Sequence, residues 1–313
     1  MNPTPQAFAI LGPTASGKTR LALELAQQLP IEIISLDSAL VYRDMNIGTA
    51  KPTAAELASV PHHLIDIISP LEAYSAAQFV NDCTRLCQEI HQRGKLPIIV
   101  GGTMMYYHAL TQGLNDLPEA DPTLRAQLHA DKQQHGITYL YQRLQHIDPP
   151  TAARLQPTDS QRIERALEVF LLTGKPLSAH FNAQTQHAPL NLSTLALIPA
   201  ERARLHQNIA LRFETMLTQG LLDEVKHLQA QYPSLTADST AMRCVGYRQA
   251  WDYLAQRLTH TEFVEQGIIA TRQLAKRQLT WLRKLGAQHL IDPYHSPNML
   301  PTALTAIQQH FQL

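Results

Sequence analysis

Cysteine is scarce: the 313 residues hold three, at 83, 87 and 244, with no Cys-x-x-Cys pair. That excludes a disulfide framework and offers no thiol pair for zinc or redox chemistry. Cys83 and Cys87 lie four apart in a stretch of helical periodicity, so both are expected to pack as small apolar residues. Net charge is also missing, because 26 Lys+Arg balance 26 Asp+Glu. A neutral chain is a poor candidate for coating nucleic acid indiscriminately, although it can still carry a local basic groove. No apolar run approaches the roughly eighteen residues of a membrane span, since Gly, Pro or charge interrupts each one. The first residues, MNPTPQAFAILG, lack a basic region followed by a long apolar stretch, so no signal peptide is read and a cytoplasmic location is expected. What the chain does have is 44% hydrophobic residues, ample for a substantial core at a length that suits one large or two ordinary domains.

The first third alternates strand and helix. AFAIL (7–11) leads through a Gly-rich turn into KTRLALELAQQL (18–29), IEIISL (31–36) ends at Asp37, and a helical stretch from Ser75 to Arg93 precedes LPIIVGG (96–102). Strands separated by helices predict a parallel α/β sheet with ligands at the carboxyl ends of its strands. Between about Asp116 and Pro189 no strand pattern occurs, and DPTLRAQLHADKQQ, ITYLYQRLQ and SQRIERALEVFLL read as helices. This predicts a helical insertion domain over 116–190, dividing a core made of 1–115 and 191–313. STLALIP (193–199) reads as a returning core strand, with long helical patterns from Glu201 to Gly286.

Gly12, Pro13, Thr14, Ala15, Ser16, Gly17, Lys18 and Thr19 match G-x-x-x-x-G-K-[ST], placed after a strand and opening a helix. Backbone N–H groups in such a loop cradle a di- or triphosphate, Lys18 neutralises it, and the Thr19 hydroxyl suits Mg²⁺. The motif specifies a polyphosphate and leaves open what carries it. Asp37, ending the second strand, is either a helix cap or metal-water partner, or a carboxylate facing the cradle that takes a proton from a nucleophile. Gly101-Gly102-Thr103 is either a small-residue turn or a place where backbone meets a ligand. His62 and His63 read as structural, for want of further metal ligands.

Wound at roughly 100° per residue, the last long helix places Arg272, Lys276 and Arg283 on one face, with Arg277 and Lys284 on its flank. Leu274, Ala275, Trp281, Leu282 and Leu285 fall opposite, and Leu279 projects among the basic residues. One side is expected to pack and the other either to be solvated or to meet a phosphate backbone.

Taken together, GPTASGKT (12–19), DSALVYRDMNIGTAKP (37–52), PHHLID (61–66), VGGTMMYY (100–107), QRIERALEV (161–169), TGKPLS (173–178), RCVGYRQAW (243–251) and TRQLAKRQLTWLR (271–283) resemble the tRNA dimethylallyltransferase family, also called tRNA isopentenyltransferase. The resemblance implies a P-loop NTPase-like parallel sheet core with a helical insertion. It implies transfer of a dimethylallyl group from dimethylallyl pyrophosphate to the exocyclic amine of the adenosine beside the anticodon. The phosphate loop then holds the departing pyrophosphate with Mg²⁺, Asp37 is the general base, and Thr103 stands by the reacting carbon. The tRNA anticodon stem-loop would meet Asp37, Ser38, Ala39, Leu40 and Thr103, then Arg125, Gln161, Arg162, Ile163, Glu164 and Arg165. It would also meet Arg243, Cys244, Val245, Gly246, Tyr247 and Arg248, and Lys276, Arg277, Gln278, Leu279, Thr280, Trp281, Leu282 and Arg283. A monomer with no membrane partner is expected.

Two positions depart from the family pattern: Leu40 replaces a common Gln, leaving backbone groups there to meet the target base, and Asp44 replaces a common Gly. The chain also lacks the added zinc finger of eukaryotic relatives, which fits a compact bacterial form. Competing readings are a small-molecule kinase, a non-catalytic RNA-binding NTPase switch, and a prenylating enzyme for free adenine nucleotides.

Overall fold

Six strands form one sheet in a computed structural model that describes residues 4–113, 117–181, 188–295 and 299–313. They are β1 (Gln6–Leu11), β2 (Ile31–Leu36), β3 (His62–His63), β4 (Leu96–Gly101), β5 (Asn191–Leu197) and β6 (His289–Ile291). Their order is β3-β2-β4-β1-β5-β6 and every pairing is parallel. β2 and β4 are buried along their whole length, and the mainly apolar runs IEIISL and LPIIV suit strands covered on both faces. Register aligns the strand ends: Gly101 pairs with both Leu11 and Leu36, and Leu11 pairs with Ala196. Gly12, Asp37 and Gly102 therefore leave the sheet side by side. The chain runs from β1 to β2 on one side and from β4 to β5 on the other, a switch point where a crevice opens at the carboxyl edge.

Helix starts follow local chemistry. Ser75 and Thr259 each accept from the backbone three residues on, while Gln78 and Glu262 bond back to them, two reciprocal caps that open helices Ala76–Gln92 and His260–Leu282. Phe79, Cys83, Leu86, Cys87 and Ile90 form the buried stripe of the former, so both cysteines are packing residues as expected. A β2 carboxylate, Glu32, is held by Arg93 and His63 at 2.7 Å each. The Arg93 hydrogen bond, opposed by burial, keeps the Glu32 carboxyl below its ordinary pKa. His62 Nδ1 donates to the Val60 carbonyl (2.8 Å), so the structural reading of this pair stands. Two short strands, β3 and β6, and the final helix Met299–Phe311 go beyond the sequence reading. Two or three residues carry no usable period, and that helix packs Met299, Ala303, Ala306 and Ile307.

The chain forms two compact units, Met1–Thr111 with Pro189–Leu313, and Gln112–Ala188. The expected boundary at 115/116 lies outside the described residues. The second unit closes on Leu128, Leu140, Leu144, Ala152, Ile163, Ala166 and Leu167. Its Glu168 is 1% exposed and accepts from Arg125 Nε (2.8 Å), Arg165 (2.6 Å) and the Asp121 backbone (3.0 Å). Burial alone would raise that carboxyl's pKa, but the two arginines outweigh it and hold it low. Among the described residues no helix is long and apolar enough to cross a membrane.

Candidate active site

The phosphate loop leaves β1 and turns into the helix Lys18–Ala26. Gly17 sits in the left-handed region (φ 89°), a conformation natural to glycine. No side chain caps this helix and no acidic residue occupies its first turn, so its N–H groups and positive dipole end are left for an anion. The buried Ser16 Oγ likewise lacks a partner among the described residues. Lys18 Nζ donates to the Pro13 carbonyl at 2.7 Å. Burial, and then the charge of Arg212, lower its pKa to about 8, while Asp37 pulls it back up. Arg212, on the helix Arg202–Thr218, has its own pKa lowered by burial and supported by Asp37. Arg212 is a candidate residue that sequence reading missed. It belongs to no local motif, and only the turn of its helix brings its charge to the loop.

Asp37 is half buried at the end of β2. Its Oδ1 accepts from the Ala39 N–H at 2.8 Å and from Leu40 at 3.4 Å, which fixes the carboxylate while Oδ2 remains for a proton. Thr103 Oγ1 accepts from the Ser38 N–H (3.0 Å) and donates to the Ser38 hydroxyl (3.3 Å), joining the ends of β2 and β4. Burial followed by the Asp37 charge raises the Cys244 thiol to about 12, so it stands beside the carboxylate as a neutral group. The glycines 101 and 102 have packing reasons: a Cβ would lie 2.1 Å from the Leu36 carbonyl oxygen or 2.4 Å from Gln278 Nε2. The small-residue turn reading of this pair thus has a packing basis.

The 37–52 segment is held by residues far along the chain. Glu224 accepts from the backbone N–H groups of Asn46 (2.9 Å), Ile47 (2.7 Å) and Gly48 (3.2 Å) and from the Tyr247 hydroxyl (2.5 Å). Hydrogen bonds to a charged acceptor contribute about 1.5–3 kcal/mol each, so one side chain anchors the loop. The departure at Asp44 has a local account: its φ is +64°, where the family's glycine is natural and Asp is tolerated. The Tyr232 hydroxyl donates to Asp44 at 2.6 Å and offsets the strain. At Leu40 the N–H faces Asp37 and the carbonyl accepts from Asp66 at 3.1 Å. Both backbone groups of Leu40 thus have partners within the protein.

Comparison with known proteins identifies the assembly. A family model described as IPP transferase matches residues 40–285. The chain belongs to the IPP transferase family. It is 63% identical over 310 residues, 99% of each chain, to a protein named tRNA dimethylallyltransferase from Neisseria meningitidis serogroup A. It is 61% identical over 289 residues, 92% of this chain and 89% of that one, to the protein so named from Chromobacterium violaceum. Among solved structures it resembles a tRNA isopentenylpyrophosphate transferase from Bacillus halodurans (36% identity, TM-score 0.70, 98% of both chains). It also resembles a eukaryotic dimethylallyltransferase acting on tRNA (28% identity, TM-score 0.80, 96% of this chain and 77% of that one).

The basic helix of this IPP transferase, His260–Leu282, corrects the expected faces. Gly267, Ala275, Leu279 and Leu282 are buried, whereas Trp281 is 42% exposed with its ring edge-on to His108 at 5.5 Å. The inner face is therefore turned toward Arg272, whose Nε is buried with no partner among the described residues. Leu279 packs inside rather than projecting among the cations. Lys276, Arg277, Arg283 and Lys284 are exposed. A groove of about 420 Å³ lies along Gln273, Lys276, Arg277, Thr280 and Trp281. Gln278 turns inward: its Oε1 accepts from the Thr14 N–H and its Nε2 donates to the Gly102 carbonyl, both at 2.9 Å.

The remaining expected RNA-contact residues are divided by burial. Arg243 is exposed and Val245 half-buried, but Tyr247 is fully buried. Gly246, with φ +92°, starts the helix Tyr247–Leu254. Arg248 donates to the Ala237 carbonyl at 2.6 Å. In the second unit Gln161 and Arg162 are exposed, Ile163 is core, Glu164 is bonded to Lys132 (2.7 Å), and Arg125 and Arg165 are paired with Glu168.

Mg²⁺ carried on a diphosphate fits these residues. Thr19 presents an exposed hydroxyl beside the unpartnered Ser16 Oγ. Among the described residues no group of three His, Cys, Asp or Glu is placed to hold a metal ion.

Proposed function

We propose that this protein transfers a dimethylallyl group from dimethylallyl pyrophosphate to the exocyclic amine of an adenosine beside the anticodon of tRNA. The C–N bond forms at the allylic carbon, the C–O bond to the diphosphate breaks, and the amine proton passes to Asp37. The observation that carries this reading is the strand register, which pairs Leu11 and Leu36 with Gly101 and so sets the phosphate loop, Asp37 and Thr103 side by side at one edge of the sheet. An amine conjugated with a purine ring is a weak nucleophile, so removing its proton as the bond forms lowers the barrier. Thr103 steadies the acceptor side through Ser38, and Lys18 with the uncapped helix end meets charge as it grows on the leaving group. Thr19 would hold Mg²⁺, which supplies further positive charge at the diphosphate. The target base must leave its stack, at about a few kcal/mol, and the exposed cations of the basic helix offset that by gripping phosphates.

The test is incubation with labelled dimethylallyl pyrophosphate, Mg²⁺ and bulk tRNA, without ATP, followed by digestion to nucleosides. Label on adenosine and release of pyrophosphate are expected, with little product from a saturated analogue. Strict dependence on ATP with ADP release would replace this reading with the kinase.

Exposure within the basic helix sorts its contributions. Lys276→Ala and Arg283→Ala should each weaken tRNA binding and flatten the slope of log K against log salt by about one. Arg272→Ala should flatten the slope less, because the residue is half-buried with its Nε covered. Filter binding over a salt series reads this, and an unchanged slope in the first two would mean a merely solvated surface.

A further inference from the structure

Gln278 lies between the exposed cations of the basic helix, yet both polar atoms of its side chain are used inside the core unit. Its Oε1 takes the Thr14 N–H and its Nε2 serves the Gly102 carbonyl, each at 2.9 Å. The first partner can only donate and the second only accept, so the orientation of the amide is fixed by chemistry. Each bond also fixes a peptide plane. The Thr14 N–H shares its plane with the Pro13 carbonyl, and in a trans peptide these two groups point in opposite directions. With the N–H on Gln278, the carbonyl faces the other way, where Lys18 Nζ donates to it at 2.7 Å. The Gly102 carbonyl shares its plane with the Thr103 N–H, which donates to the Leu36 carbonyl at 3.2 Å. Thr103 in turn holds the Ser38 N–H next to Asp37.

We propose that Gln278 is a positioning residue whose one amide sets the Pro13–Thr14 peptide behind Lys18 and the Gly102–Thr103 peptide behind Ser38, so registering the phosphate cradle against the acceptor base. The proposal deepens the transferase reading and rests on it for the acceptor half; the cradle half stands on the phosphate loop alone. Ammonium and hydroxyl must sit within a fraction of an ångström of productive geometry, and misplacement on that scale costs rate steeply. No charged side chain can replace the amide: a carboxylate would oppose the Gly102 carbonyl and an ammonium would oppose the Thr14 N–H. Glycine at 102 belongs to the same device, since a Cβ there would lie 2.4 Å from Gln278 Nε2.

The experiment uses the full chain and two variants. Gln278→Met keeps length and volume but removes both bonds, and Gly102→Ala crowds the amide at 2.4 Å and, less severely, the Gly12 carbonyl oxygen at 3.0 Å, without altering the helix. Calorimetric binding of inorganic pyrophosphate with Mg²⁺, binding of tRNA, and kcat and KM for transfer are measured on each. Both variants should weaken pyrophosphate binding and lower kcat by about tenfold, the effect of some 1.4 kcal/mol. Affinity for tRNA should stay within about twofold. The double variant should lose less than the product of the two single losses, because both changes act on the Gln278 amide. Loss of tRNA affinity with pyrophosphate binding intact would overturn the proposal in favour of direct RNA contact by Gln278. Wild-type pyrophosphate binding and kcat in both variants would overturn it outright. Should wild-type protein transfer no label to tRNA, the transferase reading fails while pyrophosphate binding still decides the role of Gln278.

Discussion

Lys18→Ala is expected to lower turnover by about 10²- to 10³-fold, the weight of a preorganised charge aimed at a leaving group. Burial and the neighbouring Arg212 already make the Lys18 ammonium costly, with a pKa near 8. The loop is thus over-supplied with positive charge until a diphosphate arrives. Because negative charge on that diphosphate grows as the C–O bond breaks, the loss falls on kcat as well as on binding. Arg212 remains in the variant, so pyrophosphate affinity should suffer less than turnover.

The same pKa gives a pH dependence whose sign can be followed. In free enzyme the ammonium form is lost as pH rises through about 8, so kcat/KM for the donor should fall above that point. Bound donor brings negative charge, which favours the ammonium, so the corresponding fall in kcat should appear at higher pH. Lys18→Ala should show neither limb. A wild-type profile in this variant would assign the titration to another group.

Asp37→Asn should cost about 10²-fold or more in turnover with both substrates still bound. Asparagine can keep the bond from the Ala39 N–H through its carbonyl oxygen, so the turn that presents the residue survives. The second oxygen becomes an amide nitrogen that cannot take a proton. Removing the Asp37 charge also withdraws support from the Lys18 ammonium, so the alkaline limb of kcat/KM should move to lower pH. Single-turnover rates and pH profiles measure both effects. A loss below about threefold with unchanged affinities, far under the weight of a base, would mean another group takes the proton.

Some of this was legible in residue order alone. Mainly apolar runs suit strands covered on both faces, and a phosphate loop between strand and helix is a local device whose spacing is its geometry. The parallel sheet, the loop 12–19 and the carboxylate ending β2 follow from such short-range patterns. Contacts between distant segments carry no such signature. Arg212 reaches the cradle through the rotation of its helix, Glu224 holds a loop some 177 residues earlier, and Gln278 ties Thr14 to Gly102 across 264 and 176 residues. The faces of the basic helix show the limit most clearly. Periodicity separates polar from apolar residues, but Leu279 and Trp281 are both apolar, and only packing against the core decides that Leu279 goes in and Trp281 stays out. A side chain's burial is set by what the rest of the chain brings against it, a property of the folded arrangement that no local stretch of sequence contains.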